Sequence, residues 1–178
     1  MRFMIPLTCT VFLASPAFAV GSNDSSPPVK TETTTTCEDG QIFDDKTKAC
    51  VDADKQSFND DDRYRAVREL AYAGEYQRAL RVISMADNPK SSRFLTYRGF
   101  IHRQNGKMDQ AMAFYTAALR ADPDNVLARS YMGMGLAKMG HKGAAQAQLE
   151  EIAARSGQDG WAFTALKAVL DGEAGAIY

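Results

Sequence analysis

The stretch Gly106–Asn125, GKMDQAMAFYTAALRADPDN, decides the fold of this chain. Alanines and aromatic residues recur in it at helical spacing, and Asp122-Pro123 ends the segment. Proline lacks the amide hydrogen that a helix interior needs, so the next helix restarts at Asn125, a residue type that caps helix N-termini well. The stretch therefore predicts one amphipathic helix with a defined start and end.

The same pattern recurs on both sides of this stretch. The glycines Gly74, Gly106 and Gly140 lie 32 and 34 residues apart, and each stands between two helical segments. Alignment on these glycines superposes three alanines further along the chain: Ala79, Ala111 and Ala145. The repeating unit is therefore a helix, a glycine turn and a second helix, and this period is typical of a solenoid.

Residue size explains the repeated pattern. Two helices approach closely only where one presents a small side chain, so the three alanines, with Gly99 and Gly133, are predicted to make room for the facing helix. Larger side chains are predicted to fill the grooves between hairpins: Tyr76, Phe94, Phe114, Tyr115, Tyr131 and Leu149.

At these positions the sequence resembles the tetratricopeptide repeat family. Ser92–Asn125 matches its pattern best, with Gly99 at the glycine position and Pro123 at the proline position. Leu95 stands for the usual tryptophan, and Ala111, Tyr115 and Ala118 occupy the positions of the second helix. The resemblance implies an all-α solenoid of three helical hairpins, at residues 60–91, 92–125 and 126–159, whose first helices line a concave groove for a partner protein.

Two flanking regions complete the predicted array. Trp161, Phe163 and Leu166 recur at helical spacing, so residues 160–172 are predicted to form a helix that caps the last hairpin, followed by a tail at 173–178. That tail either folds back on the capping helix or is offered to a partner. Residues 52–59 are interpreted as a linker before the first repeat.

The groove positions of the family carry a mixture of cationic, aromatic and sulfur-containing side chains in this sequence. Such a surface suits a protein or peptide with acidic groups and an apolar anchor, because arginine offers a planar fork and Phe or Met an adaptable contact. The alternative is that the cations are simply solvated. The predicted groove residues are Tyr64, Arg68, Arg93, Thr96, Phe100, Arg103, Ser130, Met134 and Lys138, with Ala71 and Leu127 beside them.

The N-terminus has the features of an exported protein. Residues 1–19 combine an early arginine, an apolar run and a small-x-small triplet before a predicted cut after Ala19, as in a secretory signal peptide. Residues 20–36 are polar and rich in Ser, Thr and Pro, which predicts a disordered linker. We therefore expect an exported protein, periplasmic in a Gram-negative bacterium or secreted, with no integral membrane span once the signal is removed.

Removal of the leader would leave two cysteines, Cys37 and Cys50. An even number of cysteines in an exported chain is expected to pair, so residues 37–51 are predicted to form a small β-hairpin closed by a disulfide. The polar segment Asp44–Lys48 is the predicted turn of this hairpin.

Composition and motifs limit the classes of function. The 178 residues carry a formal net charge of −1, which does not favour nucleic acid as a partner. His102 and His141 have no metal-ligand spacing, and no catalytic set or cofactor motif is recognisable, so we expect no catalytic, metal or cofactor site. A non-enzymatic adaptor of the cell envelope is the first hypothesis. The alternatives are a small envelope hydrolase or ligand-binding protein, and a self-associating structural protein of unknown oligomeric state.

Overall fold

The structure of residues 34–173 is a computed structural model with a small β-hairpin and seven helices in the part of the chain that it describes. The predicted signal peptide at 1–19, most of the linker and nearly all of the tail lie outside these residues. A short 3-10 helix at Thr34–Thr36 precedes the hairpin. The strands are β1 (Gln41–Asp44) and β2 (Ala49–Asp52), and the helices are α1 (Asp60–Tyr72), α2 (Tyr76–Ser84), α3 (Ser92–Gln104), α4 (Met108–Ala121), α5 (Val126–Lys138), α6 (Lys142–Ser156) and α7 (Trp161–Asp171).

The helices pair as three hairpins with nearly identical turns, as predicted. Gly74, Gly106 and Gly140 have φ angles of 84°, 74° and 84°, a left-handed conformation that glycine adopts without steric cost. In each turn the amide after the glycine donates to the carbonyl oxygen five residues earlier, at 2.8 Å in the first turn and 2.9 Å in the other two. The common turn explains why the glycine spacing reveals the repeat.

Small residues set the distance between the helices of a hairpin, as the sequence predicts. Ala79, Ala111 and Ala145 are fully buried. At Gly99 a β-carbon would lie 2.5 Å from the Tyr115 ring, so α4 can approach α3 only because that position has no side chain. The second hairpin is therefore packed through a glycine–tyrosine contact.

Gly133 has a different neighbour from the one predicted. It was expected to accommodate the second helix of its own hairpin, but a β-carbon there would lie 2.5 Å from a methyl group of Leu166 on α7. Leu166 and Ala162 are buried, so α7 closes the end of the array through apolar contacts. The capping role of α7 is confirmed, and the glycine serves the cap.

The N-terminal hairpin has the predicted strands and disulfide. β1 and β2 pair antiparallel, with Phe43 opposite Cys50, and a disulfide joins Cys37 to Cys50. The Asp44 carboxylate accepts hydrogen bonds from the Lys46 amide and the Thr47 hydroxyl, which lowers the pKa of Asp44. The turn is thus built by one aspartate at its first position.

The hairpin covers the open end of the first repeat. Ile42 is buried in the same core as α1 and α2. Arg78 of α2 donates hydrogen bonds to the carbonyl oxygens of Cys37 and Thr35, at 2.7 and 3.2 Å, and Arg81 pairs with Asp39 at 2.9 Å. The hairpin therefore caps the array through arginine contacts to its backbone and one buried apolar side chain.

The start of α1 is tied to the loop between the first two repeats. The Asp60 carboxylate accepts the amide hydrogens of Asp87 and Asn88, both at 2.8 Å, and Arg63 reaches both Asp60 and Asp87. Burial would raise the pKa of Asp60, but these donors outweigh it and hold the pKa below its ordinary value. Asp60 thus links the first and second repeats while it is ionised.

Membrane-spanning helices are absent from residues 34–173, where no helix combines the necessary length with the necessary apolar character.

Candidate functional site

The nine predicted groove residues all lie on the first helices of the three hairpins. Tyr64 and Arg68 are on α1, Ser130, Met134 and Lys138 are on α5, and the other four are on α3. The nine residues therefore lie on three helices that pack side by side, with α3 against both α1 and α5.

Six of the nine side chains predicted to line the groove are buried. Arg68 and Arg93 are half-buried, and Lys138 is exposed. The buried residues are Tyr64, Thr96, Phe100, Arg103, Ser130 and Met134. Contact with a partner at the buried positions would require movement of their neighbours, and partner binding itself stays a prediction.

The cause of this burial is an aromatic column that runs through the array, formed by Tyr64, Tyr97, Phe100, Tyr131 and Trp161. Successive ring centroids along it are 5.6, 5.9, 5.2 and 5.9 Å apart. Aromatic rings at such separations attract each other beyond the area that they bury. The column joins α1, α3, α5 and the capping helix into one continuous core.

Tyr72, which the sequence analysis did not single out, closes the groove. Its ring stacks on Phe100 with centroids 5.3 Å apart, and its hydroxyl forms a hydrogen bond with the hydroxyl of Tyr131. Helices α1 and α5 therefore touch across α3. We call the converging side chains of these three helices the inner face: Arg68, Tyr72, Phe100, Arg103 and Tyr131.

Three arginines stack on rings of this aromatic core. The guanidinium carbon of Arg93 lies 5.1 Å from the Tyr64 ring centroid, and that of Arg68 lies 5.6 Å from the same centroid. The guanidinium carbon of Arg103 is 5.5 Å from the Phe100 centroid and 5.6 Å from that of Tyr131. Cations within about 6 Å of a ring centroid are attracted by its quadrupole. The rings thus hold the arginines in fixed orientations.

The tyrosines of the site contribute no charge. Burial raises the pKa of Tyr115 to about 12 and raises those of Tyr97 and Tyr131 well above their ordinary value. Arg68 beside Tyr97 and Arg103 beside Tyr115 oppose these increases in pKa, but burial outweighs them. The phenols stay neutral at physiological pH, so the electrostatic character of the site comes from its cations.

The buried hydroxyl of Thr96 belongs to an internal network. It donates to the Ser92 carbonyl oxygen at 2.8 Å and accepts a hydrogen bond from the Asn125 side-chain amide at 3.1 Å. The Asn125 side-chain oxygen caps α5 through the Ala128 amide at 2.8 Å, as predicted for this residue. Thr96 therefore helps to fix the angle between α3 and α5, and its hydroxyl is already engaged.

The histidines lie apart from the inner face. His102 stacks on Phe114 with ring centroids 5.1 Å apart, and partial burial, with a smaller contribution from Lys107, lowers its pKa. His141 is exposed at the N-cap of α6. Over residues 34–173, no three His, Cys, Asp or Glu side chains come close enough together to hold a metal ion.

Sequence reasoning missed Tyr72, and it did not assign Tyr97 to the aromatic column. Both contribute to closing the groove. A signal for Tyr72 was present, since it lies one helical turn after Arg68 and so shares a face of α1 with it. The contact between Tyr72 and Tyr131 joins residues that are 59 positions apart, and no local pattern predicts it.

Comparison with known proteins agrees with this architecture. A tetratricopeptide repeat family model matches residues 102–170, from the end of α3 through α7. No curated protein and no solved structure matches the chain. The family match covers the Gly106 turn, α4, the third hairpin and its cap, and the turn of the first hairpin has the same geometry as the other two. Residues 102–170 therefore carry the tetratricopeptide repeat pattern, and the structure repeats the same helical hairpin before them.

Proposed function

We propose that this chain is a non-enzymatic adaptor of the cell envelope that binds an acidic segment of a partner protein. Repeats of this family generally mediate protein–protein interaction. The observation that carries the finer proposal is the arginine pair Arg68 and Arg93, both stacked on Tyr64 and both only half-buried.

The chemistry of this arginine pair favours carboxylates. A guanidinium held on a ring presents its N–H groups edge-on, and its planar fork matches a carboxylate with two parallel hydrogen bonds. Arg93 already pairs with Asp61, an exposed side chain on α1. An acidic partner would replace the Asp61 carboxylate at Arg93. Until then the exposed Asp61 side chain would hold Arg93 only weakly, so a partner could displace it readily.

Burial of Arg103, Phe100 and Met134 narrows the binding surface from the predicted groove to its rim. The rim consists of the arginine pair at one end and the exposed Lys138 at the other. A partner segment that follows the rim would place acidic residues at both ends and its apolar residues near Tyr72. This arrangement fits one extended strand or one helix of a partner.

A crosslinking capture experiment tests the adaptor proposal. The double variant Arg68→Gln, Arg93→Gln should lose at least tenfold in the yield of its specific crosslinked partners in the native envelope. The control is Arg65→Gln, Arg120→Gln, which removes the same charge from two exposed arginines elsewhere. Equal capture by both double variants would refute the proposed site, provided that their melting temperatures agree.

Export is part of the proposal and has its own test. The leader composition of residues 1–19 and the Cys37–Cys50 disulfide, which persists in oxidising compartments, both support an exported location. Sequencing of the N-terminus of the chain recovered from a periplasmic fraction should give Val20 as the first residue. Recovery of the chain with residues 1–19 intact from the cytoplasm would contradict export.

A further inference from the structure

The two cysteines of the N-terminal disulfide differ in their access to solvent. Cys37 is buried, whereas Cys50, on β2, is exposed. Ala49 and Asp52 of the same strand are also exposed, so solvent reaches β2 along most of its length. Thiol–disulfide exchange requires that a thiolate reach one of the two sulfur atoms, and exposed disulfides exchange more readily than buried ones. The disulfide is therefore accessible at Cys50 and shielded at Cys37.

Cys37 is also the member of the pair that is fixed directly to the helical array. Its carbonyl oxygen accepts a hydrogen bond from Arg78 of α2 at 2.7 Å, and Arg78 also donates to the Thr35 carbonyl oxygen at 3.2 Å. Cys50 lies opposite Phe43 in the β-ladder, so it is held through β1 and through the disulfide. Opening of the disulfide would therefore leave Cys37 on α2 and remove one of the two connections of Cys50.

The other anchors of the hairpin lie at its base. Ile42 is buried in the core of the first repeat. Ala53, directly after β2, is fully buried, and its carbonyl oxygen accepts a hydrogen bond from Nε of Arg63 at 3.0 Å. The turn at residues 45–48 is exposed. Loss of the disulfide should therefore loosen the pairing of the two strands while the base of the hairpin stays attached to the array.

We propose that Cys50 is a thiol-exchange site, at which a protein dithiol reduces the Cys37–Cys50 disulfide in the folded chain and thereby loosens the hairpin that covers the first repeat. The partner is a reduced dithiol protein, and this chain is its disulfide substrate. Loosening of the hairpin would uncover the end of the first repeat around Ile42. The inference concerns the hairpin alone and is independent of the acidic partner proposed for Arg68 and Arg93.

The exchange takes place in two steps. In the first, a thiolate of the dithiol attacks Sγ of Cys50, a bond forms between these two sulfurs, and the electron pair of the broken disulfide bond leaves on Sγ of Cys37. In the second, the other thiolate of the dithiol attacks the partner sulfur of this mixed disulfide and releases Cys50. Cys37 and Cys50 together gain two electrons and the two protons that the dithiol gives up, and the dithiol becomes a disulfide.

The surroundings of Cys37 favour its release in the first step. Arg78 holds a positive charge beside the Cys37 backbone. A nearby cation favours the thiolate form of a cysteine, and a stabilised thiolate leaves faster. Access and leaving group therefore both favour attack at Cys50 over attack at Cys37.

Trapping of the mixed disulfide tests the point of attack. The oxidised full chain is mixed with a Cys-x-x-Cys dithiol protein whose second cysteine is replaced by serine, so that the first step occurs and the second cannot. Peptide mapping should find the mixed disulfide at Cys50 in at least about tenfold excess over Cys37. The mapping also separates both from Cys9, the third cysteine of the chain. Equal amounts at Cys37 and Cys50, an excess at Cys37, or no mixed disulfide under native conditions would overturn the proposal.

The rate of reduction distinguishes attack on the folded chain from reduction after unfolding. Leu166→Ala destabilises α7, at the opposite end of the array from the hairpin, because Leu166 is fully buried there. With dithiothreitol as the probe, this variant and the unchanged chain should be reduced at rates that agree within about twofold and that rise in proportion to the thiol concentration. A variant reduced about tenfold faster or more would show that unfolding must come first, and would refute exchange in the folded chain.

Hydrogen exchange of the reduced chain tests the loosening of the hairpin. After reduction, the amides of Ile42 and Val51 should exchange at least about tenfold faster than in the oxidised chain, and reoxidation should restore slow exchange. The amides of α5 and α6 are the internal control and should not change. If Ile42 and Val51 were equally protected in both redox states, the proposed effect on the hairpin would be wrong.

Discussion

The two ends of the helical array are covered in different ways. At the N-terminal end, a disulfide-closed hairpin is held by Arg78 and Arg81, which bind its backbone and one of its carboxylates. At the C-terminal end, α7 is held by Leu166, which fills the space that Gly133 leaves open. The N-terminal cap depends on hydrogen bonds and a disulfide bond. The C-terminal cap depends on close packing of an apolar side chain.

This difference shows two ways in which the exposed end of a repeat array can be covered. Each hairpin contacts mainly its neighbours, so an uncovered end would expose apolar side chains. A helix of the repeat type can cover such an end by continuing the packing, whereas a short hairpin has too little apolar surface and requires a disulfide. The two caps should therefore respond to different perturbations.

The largest expected effect concerns the C-terminal cap, α7, which is held by apolar packing. Leu166→Ala should lower the free energy of unfolding by about 3 kcal/mol, because it removes a fully buried side chain and leaves a cavity against Gly133. Chemical denaturation monitored by circular dichroism measures this change. Leu170→Ala, on the same helix but only partly buried, is the control and should cost less than half as much. Equal costs would mean that the Gly133 contact does not hold the cap.

The disulfide should have a smaller and more local effect. Cys37→Ser with Cys50→Ser opens a loop between residues that are 13 positions apart, and the chain-entropy relation gives about 3 kcal/mol or less for such a loop. The loss should concentrate in the hairpin, so the amides of Ile42 and Val51 should exchange with solvent up to about 100-fold faster. Hydrogen exchange of α5 and α6 amides should not change. Faster exchange throughout the array would contradict a separate N-terminal cap.

The smallest expected effect depends on pH. It concerns the contact between Asp60, at the start of α1, and the loop between the first two repeats. Because the folded pKa of Asp60 is lowered, its stabilising contribution is present above the ordinary pKa of 3.8 and is lost as pH falls through the folded pKa. Asp60→Asn should cost about 1 kcal/mol at pH 7, where the ionised carboxylate accepts two amide hydrogens. The difference between wild type and variant should shrink below the ordinary pKa.

Thermal melts at pH 7 and in acid check this pH dependence. The control is Asp45→Asn, at an exposed aspartate in the hairpin turn, which should leave the melting temperature unchanged at both pH values. A difference between wild type and Asp60→Asn that stays constant in acid would show that charge on Asp60 does not stabilise the junction.

The sequence predicted the features that depend on residue types at short spacing. The three glycine turns, the buried alanines, the Asn125 cap and the disulfide were all predicted from residue types at short spacing, and all are present. Each depends on one backbone conformation or on contacts within one hairpin, so a pattern of a few residues is sufficient to reveal it.

The candidate site was predicted less well. Its residues lie on the first helices of the hairpins, but Phe100, Arg103 and Met134, which were predicted to line a partner groove, are buried. Whether a residue on a first helix is accessible depends on how strongly successive hairpins rotate. That rotation is the sum of many small packing contacts, such as Thr96 with Asn125, and no single motif encodes it.

The sequence by itself determined the repeating unit of this protein, because turn and cap residues act within a few positions of the chain. Only the tertiary structure decided that Tyr72 meets Tyr131, that Gly133 accommodates Leu166 and that the hairpin rests on Arg78. These contacts join segments that are tens of residues apart, and they form only after the angles between the hairpins are set. The curvature that results determines which cations of the inner face a partner can reach.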